Sequence, residues 1–294
     1  MSALDASAAA APPPPPPARP KRLLRGLALL RRALGTIGEQ ARQWTHWSLA
    51  VAALVGHTAY RVGPGIFRLR RVTREVLVRQ ILFTGVEALP FCGLIATLVG
   101  STVILQAQRN VSAAASAAVL AKLLVVVIMR ELGPLVAGLI VIGRSGTAMT
   151  VELGNMRVAG EIDAIEAQGI DPVEYLVVPR VVGMAASLVA LALFFVFVSM
   201  LFGVVASGII SGNFAAPFEF AAMLAASTGM VDIVALLAKT LLPGALIASI
   251  ATYEGLTAGP DVTDVPRAAT RATVRAMTVT FASNAAISAF VLLV

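Results

Sequence analysis

Long apolar runs alternate with short polar connections along most of the chain. Each run is close to the roughly 20 residues that a membrane helix needs. The pattern predicts an all-α integral membrane fold with five membrane helices, at about 80–107, 115–145, 178–211, 231–253 and 272–294. Pro90 and Gly93 lie inside the first run, which leaves open whether this helix is continuous, broken or re-entrant.

The residues before these runs have a different pattern. Residues 44–60 contain tryptophan and tyrosine, which favour the membrane–water interface, and predict an N-terminal interfacial elbow helix. Three regions follow from the pattern: a disordered Ala/Pro-rich tail at 1–20, basic amphipathic and interfacial helices at 21–72, and a membrane domain at 73–294. Within the second region, residues 21–35 combine a leucine stripe with an arginine face.

Composition agrees with a membrane protein. The chain is 58% hydrophobic and only 13% charged, whereas soluble domains carry about 25% charged residues. No soluble domain remains to bind nucleic acid, so we expect no such partner. We also expect no catalytic and no metal site, because the sequence contains no HExxH, no CxxC and no GxxxxGK[ST] phosphate loop. Energy for any active transport must then come from another subunit.

The arginines in the connections predict the orientation. Connections 144–180 and 254–275 carry several arginines, whereas 108–114 has one and 212–230 has none. Basic residues concentrate on the cytoplasmic side. This predicts a cytoplasmic N-terminus and a C-terminus on the opposite side.

The second run contains charges in its middle. Arg130 and Glu131 lie between two apolar stretches, and Pro134 follows. Ionisable residues at this depth are costly and usually functional. Lys239 in the fourth run is the expected ion-pair partner of Glu131. The alternative is that Arg130 and Glu131 simply compensate each other. Pro134 removes the helical partner of the Arg130 carbonyl and predicts a kink.

An acidic segment separates the second and third runs. Residues 158–168 can form a short amphipathic helix with Val158, Ile162 and Ile165 on one face, ending at Gly169. Such a helix on the cytoplasmic side suits docking into a groove of a partner. The alternative is a solvated surface helix.

One long stretch carries a family resemblance. The sequence RELGPLVAGLIVIGRSGTAMTVELGNMRVAGEIDAIEAQGIDPVEYLVVPR, with RAATR near the C-terminus, strongly resembles the signature of the MlaE/YrbE permease family. Members are membrane subunits of bacterial ABC transporters that move phospholipids or similar hydrophobic lipids. The resemblance covers roughly residues 70–294.

The resemblance implies partners and a location. It implies a homodimer in the bacterial inner membrane, two cytoplasmic ABC ATPase subunits, and a protein with a mammalian-cell-entry (MCE) domain on the periplasmic side. Phospholipid would be the cargo, for outer-membrane lipid homeostasis. ATP and Mg would be bound by the partner ATPase, with no cofactor on this chain.

The resemblance also implies roles for residues. Glu131 matches the acidic residue of the family's lipid cavity, and Lys239 matches its basic counterpart. We include Arg130 in the same expected site. The segment between the second and third spans matches a coupling helix against the ATPase, with Met156, Arg157, Val158, Glu161, Ile162, Asp163, Ile165 and Glu166. We expect kinking or close helix packing at Pro134, Gly133, Gly143, Gly146 and Gly154.

Two other classes of function stay open. Glu131 could serve an ion- or proton-coupled secondary transporter, which would work without an ATPase. The chain could also be a membrane scaffold that transports nothing.

Overall fold

A computed structural model of the chain describes residues 42, 45–58, 60, 71–110, 122–211, 222–223 and 225–293. The predicted tail at 1–20 and the amphipathic helix at 21–35 lie outside these residues. The chain divides into two units, Met1–Ala50 and Val51–Val294. Residues 45–58 are helical, in agreement with the helix expected at 44–60, whereas its interfacial role stays a prediction.

The described part of the second unit is mostly helical and contains no β-strand. Its α-helices are α1 Arg71–Ile81, α2 Leu89–Asn110, α3 Gly133–Val141, α4 Thr147–Val158, α5 Glu161–Ala167, α6 Val178–Ser211, α7 Met230–Leu256 and α8 Asp264–Leu293. Four π-helical segments connect them or interrupt them, at Leu82–Val86, Val125–Leu132, Ile142–Gly146 and Val173–Val177.

The five predicted membrane helices are confirmed. Segments long and apolar enough to cross a membrane are Glu75–Ala107, Lys122–Val158, Val173–Ala206, Met230–Leu256 and Asp264–Val291. The second is longer than expected at its C-terminal end and the fifth begins earlier. Both differences arise because polar helical turns extend these helices beyond their apolar stretches, and hydropathy does not detect such turns.

The first span is interrupted earlier than Pro90. A π-helical turn at Leu82–Val86 and a turn at residues 87–88 precede α2. Pro90 is the second residue of α2, where a missing N–H costs nothing because the first helical N–H groups have no intrahelical partner.

Helix α6 packs against α2 at very short range. A Cβ on Gly100 would lie 2.1 Å from the Ser199 carbonyl oxygen, and one on Gly203 would lie 2.2 Å from Ile104. The Ser199 hydroxyl donates to the Ala96 carbonyl at 3.0 Å. Glycine at these crossings lets the backbones approach, as in other membrane helix pairs.

Helix α7 is the centre of the other half of the bundle, where it packs against α4, α6 and α8. Gly244 lies against the backbone of Ala185, and Gly255 lies against Thr150. The ends of α4, α7 and α8 therefore form a close-packed group at the end of the bundle that carries α5.

The short helix α5 lies between the second and third spans, as expected. It covers Glu161–Ala167 rather than 158–168, because Gly160 adopts a left-handed conformation with φ of 74° and separates α5 from α4. Gly169, with φ of 75°, ends it as predicted. Ile162 is buried and Ile165 half-buried.

Candidate functional site

The middle of the second span is not α-helical. Residues Val125–Leu132 form a π-helical segment, and the Gly133 N–H donates to the Ile128 carbonyl, five residues back. Pro134 has no N–H to offer to Arg130. The carbonyl of Arg130 instead accepts a hydrogen bond from Nζ of Lys239 at 2.8 Å.

Lys239 also forms the predicted ion pair. Its Nζ lies 2.7 Å from Oε1 of Glu131. The lysine side chain is 1% exposed and the glutamate side chain 42% exposed. The pair therefore has a buried cation on α7 and a carboxylate on the second span that opens to one side.

Ser288 completes the surroundings of Glu131. Its hydroxyl lies 3.1 Å and 3.2 Å from the two carboxylate oxygens. Sequence analysis missed this residue, although it continues a polar line on α8 with Thr280 and Asn284 at a spacing of four. Within the described part of the chain, Thr280 Oγ1 and Asn284 Oδ1 are buried and have no hydrogen-bond partner.

Arg130 has a different partner from Glu131. Its guanidinium forms an ion pair with Asp232, which is fully buried at the start of α7. Asp232 also binds Lys122 at 2.9 Å and accepts the Gly229 N–H at 2.8 Å. The alternative in which Arg130 and Glu131 compensate each other is therefore wrong, since each has a partner on α7.

Asp232 is the main omission of the sequence analysis. A carboxylate three residues after Gly229, at the beginning of an apolar run, is a recognisable helix-start signal. The sequence does not show the relative position of the second span and α7, which brings Lys122 and Arg130 to Asp232. Lys122 is half-exposed, as expected for a lysine that extends toward the membrane boundary.

The glycines of the second span differ in role. A Cβ on Gly133 would lie 2.7 Å from Val196, and one on Gly154 would lie 3.0 Å from Val265, so both are close-packing positions. Gly146 has ordinary contact with Ile247 at 3.7 Å. Gly143 meets no described atom within 4 Å. No described residue therefore packs closely against Gly143, and contact with a second copy stays a prediction.

The residues expected to contact an ATPase lie around α5. Arg157 binds Asp163 at 2.9 Å and links the end of α4 to α5. Met156 and Ile165 line a cleft of about 800 Å³ between α1, α5 and the start of the third span. The remaining members of the set are Val158, which is half-buried, Ile162, which is buried, and Glu161 and Glu166, which are exposed.

Three further ion pairs lie at this end of the bundle. Arg180 is buried and donates to Glu152 at 2.9 Å and to the Leu176 carbonyl at 3.0 Å. Buried Glu254 on α7 binds Arg271 at 3.2 Å and also pairs with Arg275, both on α8. Ion pairs thus join the second span to the third, and the fourth span to the fifth.

Comparison with known proteins matches this architecture to a family. The sequence profile described as "Permease MlaE" matches residues 77–290. The chain belongs to the MlaE permease family. It is therefore a multi-pass membrane permease, of the kind that serves as a non-catalytic subunit of ABC transporters.

Several curated relatives agree with this membership. A probable ABC transporter permease protein of Rickettsia conorii is 32% identical over 71% of this chain and 80% of its own length. Another from Synechocystis sp. is 31% identical over 82% and 89%. The intermembrane phospholipid transport system permease protein MlaE of Haemophilus influenzae is 27% identical over 68% and 77%.

Proposed function

We propose that this MlaE-family permease is the membrane subunit of an ATP-driven ABC transporter that moves phospholipid, or a similar lipid, between a bacterial inner membrane and an MCE-domain partner. The observation that carries the proposal is the pair formed by half-exposed Glu131 and buried Lys239. The name of the Haemophilus influenzae relative supports phospholipid as the cargo class.

The depth of Glu131 argues for a polar cavity beside it. Glu131 lies nine residues from Lys122, or at most about 14 Å at the α-helical rise of 1.5 Å per residue, inside the hydrocarbon layer. A carboxylate exposed to hydrocarbon at this depth is strongly unfavourable. The open side of Glu131 is therefore covered by a second copy of the chain, with a lipid-filled cavity between the two.

The geometry suggests how a head group is bound. Lys239 holds two acceptors, the Glu131 carboxylate and the Arg130 carbonyl. A lipid phosphate that approaches from the open side competes for this ammonium, since charge-assisted hydrogen bonds to phosphate are strong. The Ser288 hydroxyl can still donate a hydrogen bond to the Glu131 carboxylate while Lys239 binds the phosphate.

Energy for the cycle comes from the partner ATPase, which binds ATP and Mg. Helix α5 docks to it on the cytoplasmic side, and Arg157 transmits the movement to α4 through Asp163. Because α4 belongs to the same span as Glu131, a tilt of α5 changes the open side of the cavity. The N-terminus lies in the cytoplasm, and the C-terminus lies on the periplasmic side, where the MCE-domain partner receives the lipid.

The test is ATP-dependent lipid transfer by the complete complex in proteoliposomes. We expect Glu131→Gln and Lys239→Met each to lower the transfer rate by about tenfold or more, equivalent to at least about 1.4 kcal/mol. Asp261→Asn is the matched control, because Asp261 is an exposed carboxylate in the turn between α7 and α8.

Other outcomes would support the other classes. Transfer that continues without the ATPase, and follows an ion gradient, would replace this proposal with a secondary transporter. Transfer that is unchanged in both variants, while their stability falls, would indicate a structural pair in a scaffold.

A further inference from the structure

A continuous exposed stripe runs along the outer face of the first span. Phe91, Leu94 and Leu98 are spaced as neighbours on one face of α2, and each side chain is more than half exposed. Glu87 lies at the end of the stripe, in the turn before α2. From Glu87 to Leu98 the stripe is about 16 Å long at 1.5 Å per residue. The other face of α2 packs on α6.

Arg144 of the second span reaches this end of the stripe. Its guanidinium donates to the Phe83 carbonyl at 2.6 Å and to Glu87, and it lies 4.7 Å from the centroid of the Phe83 ring. The carbonyl and the ring hold the arginine in place. Phe83 belongs to the π-helical turn Leu82–Val86, and Arg144 belongs to the π-helical turn Ile142–Gly146. Such turns are frequent at functional sites.

The pair keeps free hydrogen-bonding capacity. A guanidinium has five N–H donors, and contacts within the described chain use one on each of two nitrogens of Arg144. Oε1 of Glu87 has no partner among the described residues, and the glutamate side chain is 59% exposed. A cation and an anion are thus presented side by side to the surroundings.

Two independent distances place the pair at the membrane boundary. Residues 88–107 of the first span contain no charged side chain and extend about 30 Å at 1.5 Å per residue. In the second span, Arg144 lies 22 residues from Lys122, or at most about 33 Å, because part of this segment is π-helical and shorter than an α-helix of equal residue number. Each length is close to one hydrocarbon thickness of about 30 Å. Glu87 and Arg144 therefore lie at head-group level, on the side that carries α5.

We propose that Glu87 and Arg144 form a binding site for the head group of a zwitterionic phospholipid, whose acyl chain lies along Phe91, Leu94 and Leu98. Arg144 binds the phosphate and Glu87 binds the ammonium. The neighbouring cation and anion match the phosphate and the ammonium of the head group, and the apolar stripe matches the acyl chain. The site therefore favours a lipid over a soluble anion. Exposed ion pairs are weak, so the head group readily inserts its own charges between them.

This site is separate from the cavity at Glu131. Arg144 lies 13 residues from Glu131 along the second span, or about 20 Å at 1.5 Å per residue. The inference does not require that the protein transports lipid, because the same site would also hold a resident membrane lipid.

Native mass spectrometry of the delipidated full-length protein, in its intact complex, tests the site. The probes are phosphatidylethanolamine, phosphatidylglycerol and inorganic phosphate. We expect Arg144→Gln to weaken binding of both lipids about tenfold. Glu87→Gln should weaken only phosphatidylethanolamine, because phosphatidylglycerol has no ammonium. Arg267→Gln is the matched control, since this arginine has a carboxylate partner at 3.3 Å but no ring contact.

The outcomes separate this site from the cargo cavity. Phosphatidylethanolamine adducts that survive Glu131→Gln and disappear in Arg144→Gln would support the site. Equal lipid retention in Arg144→Gln, Glu87→Gln and Arg267→Gln would overturn it. Loss of every bound lipid in Glu131→Gln would also overturn it and leave the proposed cargo function intact. Binding of inorganic phosphate as strongly as lipid would contradict a lipid site.

Discussion

The side-chain ammonium of Lys239 donates to the main-chain carbonyl of Arg130 at 2.8 Å. This carbonyl has lost its helical partner because Pro134 carries no N–H. Lys239 therefore stabilises the interruption of the second span as well as the charge of Glu131. One cation of α7 satisfies two acceptors that would otherwise be costly inside a membrane.

Removal of this cation should cost more than removal of its anionic partner. Lys239→Met removes the ammonium from both Glu131, which keeps only the Ser288 hydroxyl, and the Arg130 carbonyl, and breaking a buried ion pair costs about 3–5 kcal/mol. Because Glu131 is 42% exposed, we expect the lower end of that range. Glu131→Gln leaves the Lys239 ammonium without a carboxylate, but the ammonium keeps two neutral acceptors, the glutamine amide oxygen and the Arg130 carbonyl, so this variant should cost less. Thermal unfolding in one detergent compares the two variants. Equal midpoints would contradict a role for the Arg130 carbonyl.

Asp232 should be more important for stability than its position at a helix end suggests. Asp232→Asn leaves the mostly buried guanidinium of Arg130, and the half-exposed ammonium of Lys122, without a carboxylate partner. Unbalanced charges of this kind cost about 3–5 kcal/mol. We expect a large fall in the unfolding midpoint, measured by intrinsic fluorescence. Asp261→Asn is the exposed control and should leave the midpoint unchanged. A similar midpoint for both variants would show that the Asp232 cluster contributes little.

Two glycines of the membrane helices should respond in opposite ways to alanine. A Cβ on Gly100 would overlap the Ser199 carbonyl, so Gly100→Ala must separate α2 from α6 and should cost about 1–3 kcal/mol. Gly143→Ala meets no described atom within 4 Å and should be neutral or slightly stabilising, by up to about 1 kcal/mol from helix propensity. Unfolding midpoints of both variants check this. Destabilisation by Gly143→Ala would indicate that a second copy contacts this position.

The end of α5 should depend on a left-handed residue. Gly169 has φ of 75°, and its N–H donates to the Glu166 carbonyl at 2.9 Å. Gly169→Ala should cost about 1–2 kcal/mol, because other L-residues disfavour this conformation. We expect faster hydrogen exchange in α5 and weaker stimulation of the partner ATPase by lipid.

Gly169→Asn is the control for this prediction, because asparagine tolerates the left-handed region better than alanine. Its exchange rates should lie between those of the native chain and Gly169→Ala. Faster exchange in α5 with unchanged ATPase stimulation would argue against α5 as the coupling element. The same result would still support the role of Gly169 in ending the helix.

The helical bundle could be predicted because it depends on local patterns. Five apolar runs of membrane length, with charges at their ends, determine five spans, since hydrocarbon leaves helices few alternatives. The stop of α5 at Gly169 could likewise be predicted, because it requires only one residue that adopts a positive φ. The ion pair of Glu131 and Lys239 was predictable for a related reason. Few other ionisable residues lie deep in the apolar runs.

The partners of the remaining charges required the tertiary structure. Arg130 is adjacent to Glu131 in sequence but pairs with Asp232, because adjacent side chains of a helix point in different directions. The π-helical segment Val125–Leu132 also departs from the regular 3.6-residue period on which a sequence-based assignment of faces rests. Similarly, the sequence indicates only that Arg144 lies near the membrane boundary. Its contacts with Phe83 and Glu87 arise because the π-helical turns Leu82–Val86 and Ile142–Gly146 lie next to each other.

The sequence by itself determined the membrane class, the number of spans, the short helix between the second and third, and the family. These follow from local hydropathy, turn chemistry and motif spacing. Only the tertiary structure decided that Lys239 binds the Arg130 carbonyl, that Asp232 joins two cations, and that no described atom lies within 4 Å of a Cβ on Gly143. The physical reason is that these contacts depend on how each helix is rotated and how deep each residue lies. One extra residue in a helical turn, as in a π-helical turn, changes which side chain faces the neighbouring helix.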